Sequence, residues 1–584
     1  MNMNAIKSIK IKNVKGKDKL SLSFNKLHPN MVNLLVAPNG FGKSTIVQTF
    51  NSLKPRSLSL NNDDFYQSNQ SNSPELEVEF TGNNHDILIA NNRKNDLYSE
   101  YDIKVINNAV VAKSAYSTAG ADLKIEPIII YDKIPEKIDT GYNFTTITNN
   151  IACNKRIFKN ISSFFKNIEN LKTLFTIKDS LLKCSTQVRT TNAINKFLNT
   201  IPNVGNANVI KNAITIDEIE MLISNNHISC IYSTISNCEY FSNYTNVDIV
   251  LSMIQIIKWY EINHELSNDF LKNQISYEEY KINKIVLNER LTIFNTTGRE
   301  IAAKKDGQKL VVKFVNANKM SNGERDVLVF LTELFRYGIN FKKEKGILLI
   351  DEIFDYLDGS NLIVAQYFLS KFIEEQRKKE NLIYPLIFTH LDPDMFKNYY
   401  FKKMKIHYLL DNSQNALQSD IVKVIQSRDI RDDYTSKYLL HFHPDNIEVP
   451  EEISNITSTT FPTTSHDFKL YAYNEVTEKY LSDLSYNPVL VLVGIRLKVE
   501  DYVYNLLQTE EQKNKFIEEH STIKKFEYAS QFVNVPELLY ILQPIYNDTL
   551  HLNGSDRDKE KIKSSSLKLY NIPIKNVIKK IFEL

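Results

Sequence analysis

A loop with the residue types of a phosphate site follows a short apolar stretch near the amino terminus. Residues 32–36 read as a buried strand, and a helical pattern opens at Ser44. Glycines in such a loop let backbone N–H groups approach phosphate oxygens, and the helix amino terminus adds a favourable dipole. Lys43 would contact β- and γ-phosphates, and the Ser44 hydroxyl would ligate Mg2+. The candidate nucleotide-binding residues are Asn39, Gly40, Gly42, Lys43, Ser44 and Thr45.

A second apolar stretch ends in two adjacent carboxylates. Residues 346–350 predict a buried strand, which Asp351 and Glu352 follow. Asp351 can hold Mg2+ through water, and Glu352 can polarise the water that attacks a γ-phosphate. Taken alone, Asp351 could equally be a helix cap after a buried strand. Its pairing with the phosphate loop favours catalysis over capping.

Three further segments follow these motifs in the order of a known family. Residues 320–325 (Met-Ser-Asn-Gly-Glu-Arg) resemble the signature motif of ABC ATPases, residues 357–358 (Leu-Asp) the D-loop, and residues 389–390 (Thr-His) the switch histidine. The chain departs from the family at Ala37 and Asn322, where glycine is commoner. The motif regions span about residues 6–135 and 290–400, and within the family they resemble the SMC-like and overcoming-lysogenization-type ATPases.

The resemblance implies a site that two heads complete together. Ser321 and Gly323 would contact the γ-phosphate bound to the other head, with Asp358 nearby. His390 would contact the same phosphate and help to position water. ATP and Mg2+ are the implied cofactors, and a homodimer is the implied assembly. The family also has a glutamine in a loop after the phosphate motif, for which the candidates are Gln67 and Gln70.

The order of predicted elements indicates an α/β head with insertions. Strand patterns alternate with helices around the motifs, which predicts a parallel P-loop core beside a mixed-sheet lobe. The carboxyl-terminal part reads as mainly helical. The predicted divisions are 1–149 for the first lobe of the head, 150–288 for an inserted helical arm, 289–443 for the second lobe, 444–467 for a linker and 468–584 for a helical domain.

The insertion between the motifs is long. Lys43 and Ser321 are 278 positions apart (321 minus 43), more than a minimal transporter-type head requires. Folded back as two coiled-coil helices, the arm would reach at most about 100 Å. It contains no C-x-x-C hook, which excludes resemblance to the zinc-hook repair ATPases.

Composition limits the remaining function classes. The formal net charge is +2, so a nucleic-acid surface would have to be a local patch, of which the lysine-rich stretch 561–584 is the candidate. The four cysteines form no metal-ligand cluster or disulfide pattern. No apolar stretch has the length of a signal peptide or membrane span, so we expect a cytoplasmic protein without a membrane partner.

Three residues in the carboxyl-terminal part could form a second active site. Arg496 and Glu500 lie one turn apart on a predicted helix, and His551 follows at a distance. This set resembles the HEPN-like nuclease domains of ABC-linked anticodon nucleases. The resemblance implies His551 as acid or base and Arg496 as the group that stabilises phosphorane charge, with tRNA or another RNA as substrate.

Simpler interpretations of the same residues stay open. Arg496 and Glu500 could form an ordinary helix ion pair, and the domain could be a non-catalytic platform for a separately encoded effector. His441 and His443, near Asp445, could hold a metal but more simply belong to a polar loop.

The function that these observations predict is an ATPase of prokaryotic antiphage defence. A homodimeric head would bind and hydrolyse ATP, and its nucleotide state would control an effector, either its own ribonuclease domain or another protein. The alternative is a DNA-binding repair or DNA-end-processing ATPase, in which the arm and the basic tail contact duplex. A transport ATPase fits less well because of the helical insertion and the missing spans.

Overall fold

The chain of 584 residues folds into two compact units in the computed structural model. One unit comprises Met1–Ala109 and Asn322–Leu584, and the other comprises Val110–Ser321. The structure describes all residues except 1–4, 39, 82–85, 108–111, 118–119, 126, 138–140, 152, 314–319, 391–392, 394–403, 410–415, 548–549, 553–556 and 584. Within the described residues, no helix has both the length and the apolar character needed to cross a bilayer.

The amino-terminal residues of the first unit form an antiparallel sheet in the order β2-β1-β6-β7. Strand β1 (Ile6–Val14) has one buried face, since Ile9 and Ile11 are buried while Lys10 reaches Glu77 on β6 at 2.5 Å. The elements up to residue 107 are β1 (Ile6–Val14), β2 (Lys17–Leu27), β3 (Asn33–Val36), α1 (Lys43–Asn51), β4 (Leu53–Lys54), β5 (Ser57–Leu58), β6 (Glu75–Phe80), β7 (Ile87–Asn91), α2 (Asp96–Glu100) and β8 (Tyr101–Asn107).

The second unit combines short strands with a cluster of helices. Strands β9 and β10 pair with each other, and β11, β13 and β12 form a small sheet in that order. Its elements are β9 (Ala112–Ser117), β10 (Gly120–Ile125), β11 (Ile128–Tyr131), α3 (Phe144–Asn149), α4 (Ile168–Thr176), α5 (Lys178–Thr186), α6 (Val188–Thr200), α7 (Ala207–Ala213), α8 (Ile216–Ile223), α9 (Asn226–Ser236), α10 (Asn246–Leu266), α11 (Phe270–Leu291), β12 (Ala303–Asp306) and β13 (Lys309–Val312).

The helices of this unit differ from the expected coiled-coil arm. They are short, the longest described one having 22 residues, and they share one hydrophobic core. Helix α10 is the centre of that core, because Val250, Ile256 and Trp259 are each fully buried although they point in different directions around the helix. A coiled-coil helix buries only a narrow seam, so the all-round apolar surface of α10 explains why a bundle forms instead.

A parallel sheet follows in the first unit and confirms the α/β prediction. Its five strands lie in the order β16-β3-β15-β14-β8, and every neighbouring pair is parallel. Strands β14 and β15 are buried along nearly their whole length, as expected for central strands. The elements from residue 322 to 408 are α12 (Asn322–Asn340), β14 (Lys345–Asp351), α13 (Gly359–Lys378), β15 (Leu382–Thr389) and β16 (Lys405–Tyr408).

The rest of the first unit is helical and packs around α18. The Asn487 side chain caps this helix, and Pro488 occupies its first turn. Gly494 lets α17 approach closely, since a Cβ there would lie 2.7 Å from the Ala472 carbonyl oxygen. These helices are α14 (Asp420–Gln426), α15 (Asp432–Tyr434), α16 (Glu451–Ser454), α17 (Ser465–Asn474), α18 (Pro488–Leu506), α19 (Glu510–Glu518), α20 (Thr522–Ala529), α21 (Glu537–Ile541), α22 (Gln543–Tyr546), α23 (Arg557–Leu569) and α24 (Ile572–Glu583).

The hydrophobic core of this helical region crosses the predicted boundaries. It begins at Ala416 and runs to Ile581, so it includes residues assigned from sequence to the second lobe of the head. The predicted linker, 444–467, is folded: Ile453 is buried, and the Val449 N–H donates to the Thr463 carbonyl at 2.8 Å. Its Pro, Thr and Asn content resembles that of a linker, but a few apolar side chains suffice to anchor it.

Candidate functional site

The predicted ATP-site motifs meet at one edge of the parallel sheet. Strands β3, β15 and β14 are consecutive neighbours, with Thr389 paired to Val36 and Asp351 paired to Phe388. Their carboxyl ends therefore lie side by side, as parallel strands require. The phosphate loop, the switch histidine and the two carboxylates follow these three strand ends, so strand order makes neighbours of segments that are far apart in sequence.

The phosphate loop has the backbone that its glycines allow. Gly40 and Gly42 have φ values of 81° and 122°, a region that strains residues with a side chain. Gly42 is the residue before α1, and Lys43 is the first helical residue. Ser44 is exposed at the same helix start. The loop thus directs the amino terminus of α1 and the Ser44 hydroxyl towards the place where phosphate is expected.

The unusual Ala37 fits this loop. It keeps a negative φ, and its N–H donates to the Thr389 carbonyl at 3.1 Å, which ties the loop to the neighbouring strand. Thr45 is buried, and its N–H donates to the Gly42 carbonyl at 3.0 Å. Asn39, the remaining predicted loop residue, lies outside the described residues.

Lys43 and Glu352 form an ion pair. The Lys43 Nζ lies 3.1 Å from Glu352 Oε1, and the lysine side chain is only 5% exposed. No hydrogen-bond acceptor for Nζ lies among the described residues, so the carboxylate is its electrostatic partner but not an aligned acceptor. When ATP binds, the Lys43 ammonium can exchange the Glu352 carboxylate for phosphate oxygens. Glu352 would then be free to act on water.

Asp351 has the properties of a cation ligand. Burial, and then the charge of Glu352, raise the pKa of Asp351 to about 6. Its Oδ1 atom is buried and has no hydrogen-bond partner in the described part of the chain. Carboxylate and hydroxyl oxygens suit Mg2+, so Asp351 and Ser44 are the residues that would hold this ion. Mg2+ would neutralise charge on the phosphate oxygens.

Asp355 is a site residue that sequence reasoning missed. Its side chain is fully buried, and Oδ2 lies 2.8 Å from His390 Nδ1 and 3.1 Å from the His390 backbone nitrogen, which donates to it. The Thr389 hydroxyl donates to the other carboxylate oxygen. Ligand atoms of Glu352, Asp355 and His390 lie within 4.8 Å of one another. No local pattern marks Asp355, because its partners are 34 and 35 positions away.

Gly323 of the signature segment and Asp358 of the D-loop segment form a second group. Asp358 caps α13 by accepting from the Asn361 N–H at 2.9 Å, and hydrogen bonds from Asn361 lower the pKa of Asp358. A Cβ on Gly323 would lie 2.5 Å from the Asn361 side-chain nitrogen, so the start of α12 packs tightly on this cap. Ser321 precedes α12 and is exposed.

A large cavity in the helical region contains two of the three predicted nuclease residues. Its volume is about 960 Å3, and both Arg496 and His551 line it. Glu500 is not among the lining residues, and its side chain is fully buried. The cavity therefore brings Arg496 and His551 to one space, whereas Glu500 lies behind its wall.

Glu500 is the centre of a buried polar network. Its Oε1 lies 2.7 Å from His441 Nδ1 and accepts from the Thr522 hydroxyl at 2.6 Å. Its Oε2 accepts from the Phe442 N–H and from Lys525 Nζ, each at 3.0 Å. Burial alone would raise the pKa of Glu500, but the positive groups and hydrogen bonds around it hold that pKa well below its usual value.

His441 lies in a loop, as the sequence indicated, but its side chain is mostly buried in this network. It lies between Glu500 and Arg496, whose Nη2 is 2.5 Å from His441 Nε2. His443 is also mostly buried, and its Nδ1 accepts from the Asp445 N–H at 3.1 Å. Neither histidine belongs to a group of residues that could hold a metal ion, since the described part of the chain has such a group only at Glu352, Asp355 and His390. His441 and Arg496 are 55 positions apart, so no local sequence pattern indicates that they pair.

The carboxyl-terminal helices also reach the ATP-site edge. Leu567 and Lys568 of α23 line a small cavity of about 150 Å3 together with Pro38 of the phosphate loop and His390. Nearby, Lys563 Nζ lies 5.2 Å from the centre of the Tyr408 ring, on the outermost strand of the parallel sheet. Helix α23 therefore lies beside the part of the ATP-site edge that contains His390.

Comparison with known proteins finds distant similarity to solved structures alone. No family model matches the chain, and no curated protein matches it. The recombination mediator protein RecF bound to ATP is 13% identical over 67% of this chain and 93% of its own, with a TM-score of 0.23. An SMC head bound to the C-winged helix domain of ScpA is 11% identical over 67% and 91%, with a TM-score of 0.25. Because these similarities are low, we base function on the site geometry.

Proposed function

We propose that the chain is an ABC-type, SMC-like ATPase that binds and hydrolyses ATP with Mg2+. The observation that carries this proposal is the meeting of Lys43, Asp351, Glu352 and His390 at the ends of three adjacent parallel strands. Lys43 binds the β- and γ-phosphates, and Asp351 with Ser44 holds the ion. Glu352 activates water, and His390 contacts the γ-phosphate.

We further propose that ATP joins two copies of the chain. Ser321, Gly323 and Asp358 would face the γ-phosphate held by Lys43 of the partner, as the resemblance to ABC ATPases implies. The exposure of Ser321 and the tight packing of Gly323 against the Asp358 cap support this role. Bound triphosphate would attract the two surfaces, and hydrolysis would release them.

Hydrolysis by the Glu352→Gln protein tests the ATPase proposal. The amide keeps the shape of the side chain but cannot act as a base, so kcat should fall by about a hundredfold or more while ATP still binds. Glu374→Gln, an exposed change on α13, is the matched control and should hydrolyse at the parental rate. Parental turnover by Glu352→Gln would show that another group activates water.

The output of the head is proposed to be control of the carboxyl-terminal domain in antiphage defence. The small cavity that α23 lines together with Pro38 and His390 supports coupling within one chain rather than through a separately encoded effector. The cavity that Arg496 and His551 share favours ribonuclease activity as the second function of this domain. RNA, including tRNA, is the proposed substrate class.

A DNA-binding repair role has less support. It relied on the lysine-rich tail, but several of these lysines already have partners inside the protein. Lys561 donates to the His551 carbonyl at 2.7 Å, and Lys575 lies 2.5 Å from Asp483. Salt-dependent binding of duplex DNA together with DNA-stimulated ATP hydrolysis would revive this alternative.

A further inference from the structure

The cavity beside α18 is rich in histidine. His441, His443, His520 and His551 line it, four of the eleven histidines in the chain. These residues lie in three loops between residues 441 and 551, with His441 and His443 in the same loop, so the fold brings the loops together. Imidazole groups in a cavity of this size can exchange protons with a ligand near neutral pH.

Arg496 supplies a fixed cation at the wall of this cavity. It is 6% exposed, its Nε donates to the Thr522 hydroxyl at 3.0 Å, and its Nη2 contacts His441 at 2.5 Å. No hydrogen bond from Nη1 to any described residue is present, although Arg496 lines the cavity. A guanidinium held along one edge, with donors left on the other, suits the oxygens of a phosphate group.

The protonation state of His441 follows from its two partners. Arginine only donates hydrogen bonds, so His441 Nε2 must accept from Arg496. The ring hydrogen then lies on Nδ1, which donates to Glu500 at 2.7 Å. Burial lowers the pKa of His441, which agrees with a neutral ring. The imidazole therefore carries its lone pair on Nε2, next to the guanidinium that would bind phosphate.

Glu500 fixes this tautomer. Because the carboxylate also accepts from Thr522 and Lys525, its position does not depend on His441 alone. Thr522 joins the two halves of the network, since its hydroxyl accepts from Arg496 and donates to Glu500. The network thus holds the guanidinium and the imidazole side by side, and Arg496 occupies the His441 lone pair until the guanidinium binds phosphate.

We propose that His441 is the general base of this cavity, acting on the 2′-OH of an RNA whose adjacent phosphodiester Arg496 binds. The inference rests on the ribonuclease function proposed above. It assigns the role of general base to His441 and leaves His551 as the general acid. When Arg496 turns to the phosphate, His441 Nε2 becomes free to take the 2′-OH proton. The O2′–P bond forms, the P–O5′ bond breaks, and His551 protonates the departing O5′. The products are a 2′,3′-cyclic phosphate and a 5′-OH, and no other reactant is consumed.

Cleavage and binding by full-length variants test the two roles separately. His441→Asn keeps an N–H donor for Glu500 but lacks Nε2, so cleavage of tRNA should fall by about a hundredfold or more. Its affinity for a fluorescein-labelled 2′-O-methyl RNA, which cannot react, should stay within about twofold by anisotropy. Arg496→Lys should weaken that binding by about tenfold, because a lysine cannot keep both its network partners and the phosphate. His466→Asn, an exposed histidine outside the cavity, is the control.

The outcomes separate this inference from the function on which it rests. Parental cleavage by His441→Asn, with loss of cleavage in His551→Ala, would overturn the inference and leave the ribonuclease function standing. Absence of tRNA cleavage by the parental protein, with ATP and with ADP, would overturn both. If Arg496→Lys binds the RNA with the parental affinity, Arg496 does not bind the phosphate. If thermal melting shows that His441→Asn is destabilised, His441→Gln takes its place, and cleavage by a folded His441→Gln protein would equally overturn the base role.

Discussion

The ATP-site edge and the helical cavity each place a buried cation beside a carboxylate, but they are built in different ways. At the edge, Lys43 and Glu352 come from contiguous motifs that follow adjacent parallel strands. In the cavity, Arg496 and Glu500 lie on one helix, while His441, Thr522 and Lys525 come from elsewhere. The Lys43 pair has an accessible carboxylate that phosphate can displace. Glu500 is fully buried and holds its neighbours in place.

The exposure of each carboxylate determines which role it can have. Glu352 is 32% exposed and can reach water, so a catalytic role is compatible with its position. Glu500 has no exposed surface and accepts hydrogen bonds from several groups, so it acts on chemistry through His441. Replacing either residue should therefore have distinct consequences, and the changes below test that contrast in order of expected effect.

Removal of the Lys43 ammonium should have the largest effect. Lys43→Ala deletes the charge-assisted interaction with phosphate, and a net loss of about 1.5 to 3 kcal/mol would lower ATP affinity by about tenfold to a hundredfold. Isothermal titration with ATP and Mg2+ measures this change. Lys54→Ala, an exposed lysine just beyond α1, should bind as the parental protein does. Unchanged affinity in Lys43→Ala would contradict the role assigned to the loop.

Loss of the Asp355 charge should have a smaller effect, because Asp355 acts through His390. Asp355→Asn can still contact His390 but cannot favour the same ring orientation, so kcat should fall by about tenfold. KM for ATP should change little, since Asp355 does not touch phosphate in this account. Steady-state hydrolysis gives both values, and Asp217→Asn on the other unit is the control. A change in KM with kcat intact would instead indicate a role in binding.

Acid should destabilise the helical region around α18. The pKa of His441 is lowered from 6.5 in the fold, so the unfolded chain takes up that proton first and stability falls as the pH drops below about 6.5. The pKa of Glu500 is lowered from 4.5, so its contribution is present above about pH 4.5 and is lost on further acidification. Protection factors of amides in α18, which correct for the slower intrinsic exchange in acid, should fall by a modest factor between pH 7 and 5.

Glu500→Gln provides the comparison for this pH effect. Without the carboxylate, whose charge and hydrogen bond raise the pKa of His441, that pKa should be lowered further in the fold. Protection of α18 should therefore be lower at pH 7 and should fall more steeply towards pH 5. The parallel sheet should exchange alike in both proteins. An α18 whose protection does not change between pH 7 and 5 in the parental protein would contradict the neutral, buried His441.

Sequence predicted the edge well because its chemistry lies in contiguous motifs. Gly42, Lys43 and the Asp351–Glu352 pair each follow an apolar strand, and parallel strands must end together. Asp355 escaped prediction because its partners, Thr389 and His390, depend on how residues after β14 turn back towards β15. Long-range contacts of this kind leave no periodic signal.

The helical parts were harder to predict for a related reason. Periodicity showed that residues 150–288 are helical, but it could not distinguish one long hairpin from a bundle around α10. In the carboxyl-terminal region, a linker-like composition concealed Ile453, which packs into the core. His441 is a loop residue, but its buried contacts were not predicted because Arg496 and Glu500 are more than 50 positions away. Helix packing, not spacing, sets these contacts.

The central claim is that ATP is held between Lys43 of one copy and Ser321 of another. Light scattering on the Glu352→Gln protein tests it most directly. With ATP and Mg2+ we expect twice the chain mass of 67.7 kDa, and without nucleotide we expect the single mass. Adding Ser321→Arg, which places a bulky side chain at the proposed contact, should keep the protein monomeric with ATP bound. A dimer that persists in that double variant, or one that forms equally without ATP, would contradict the claim.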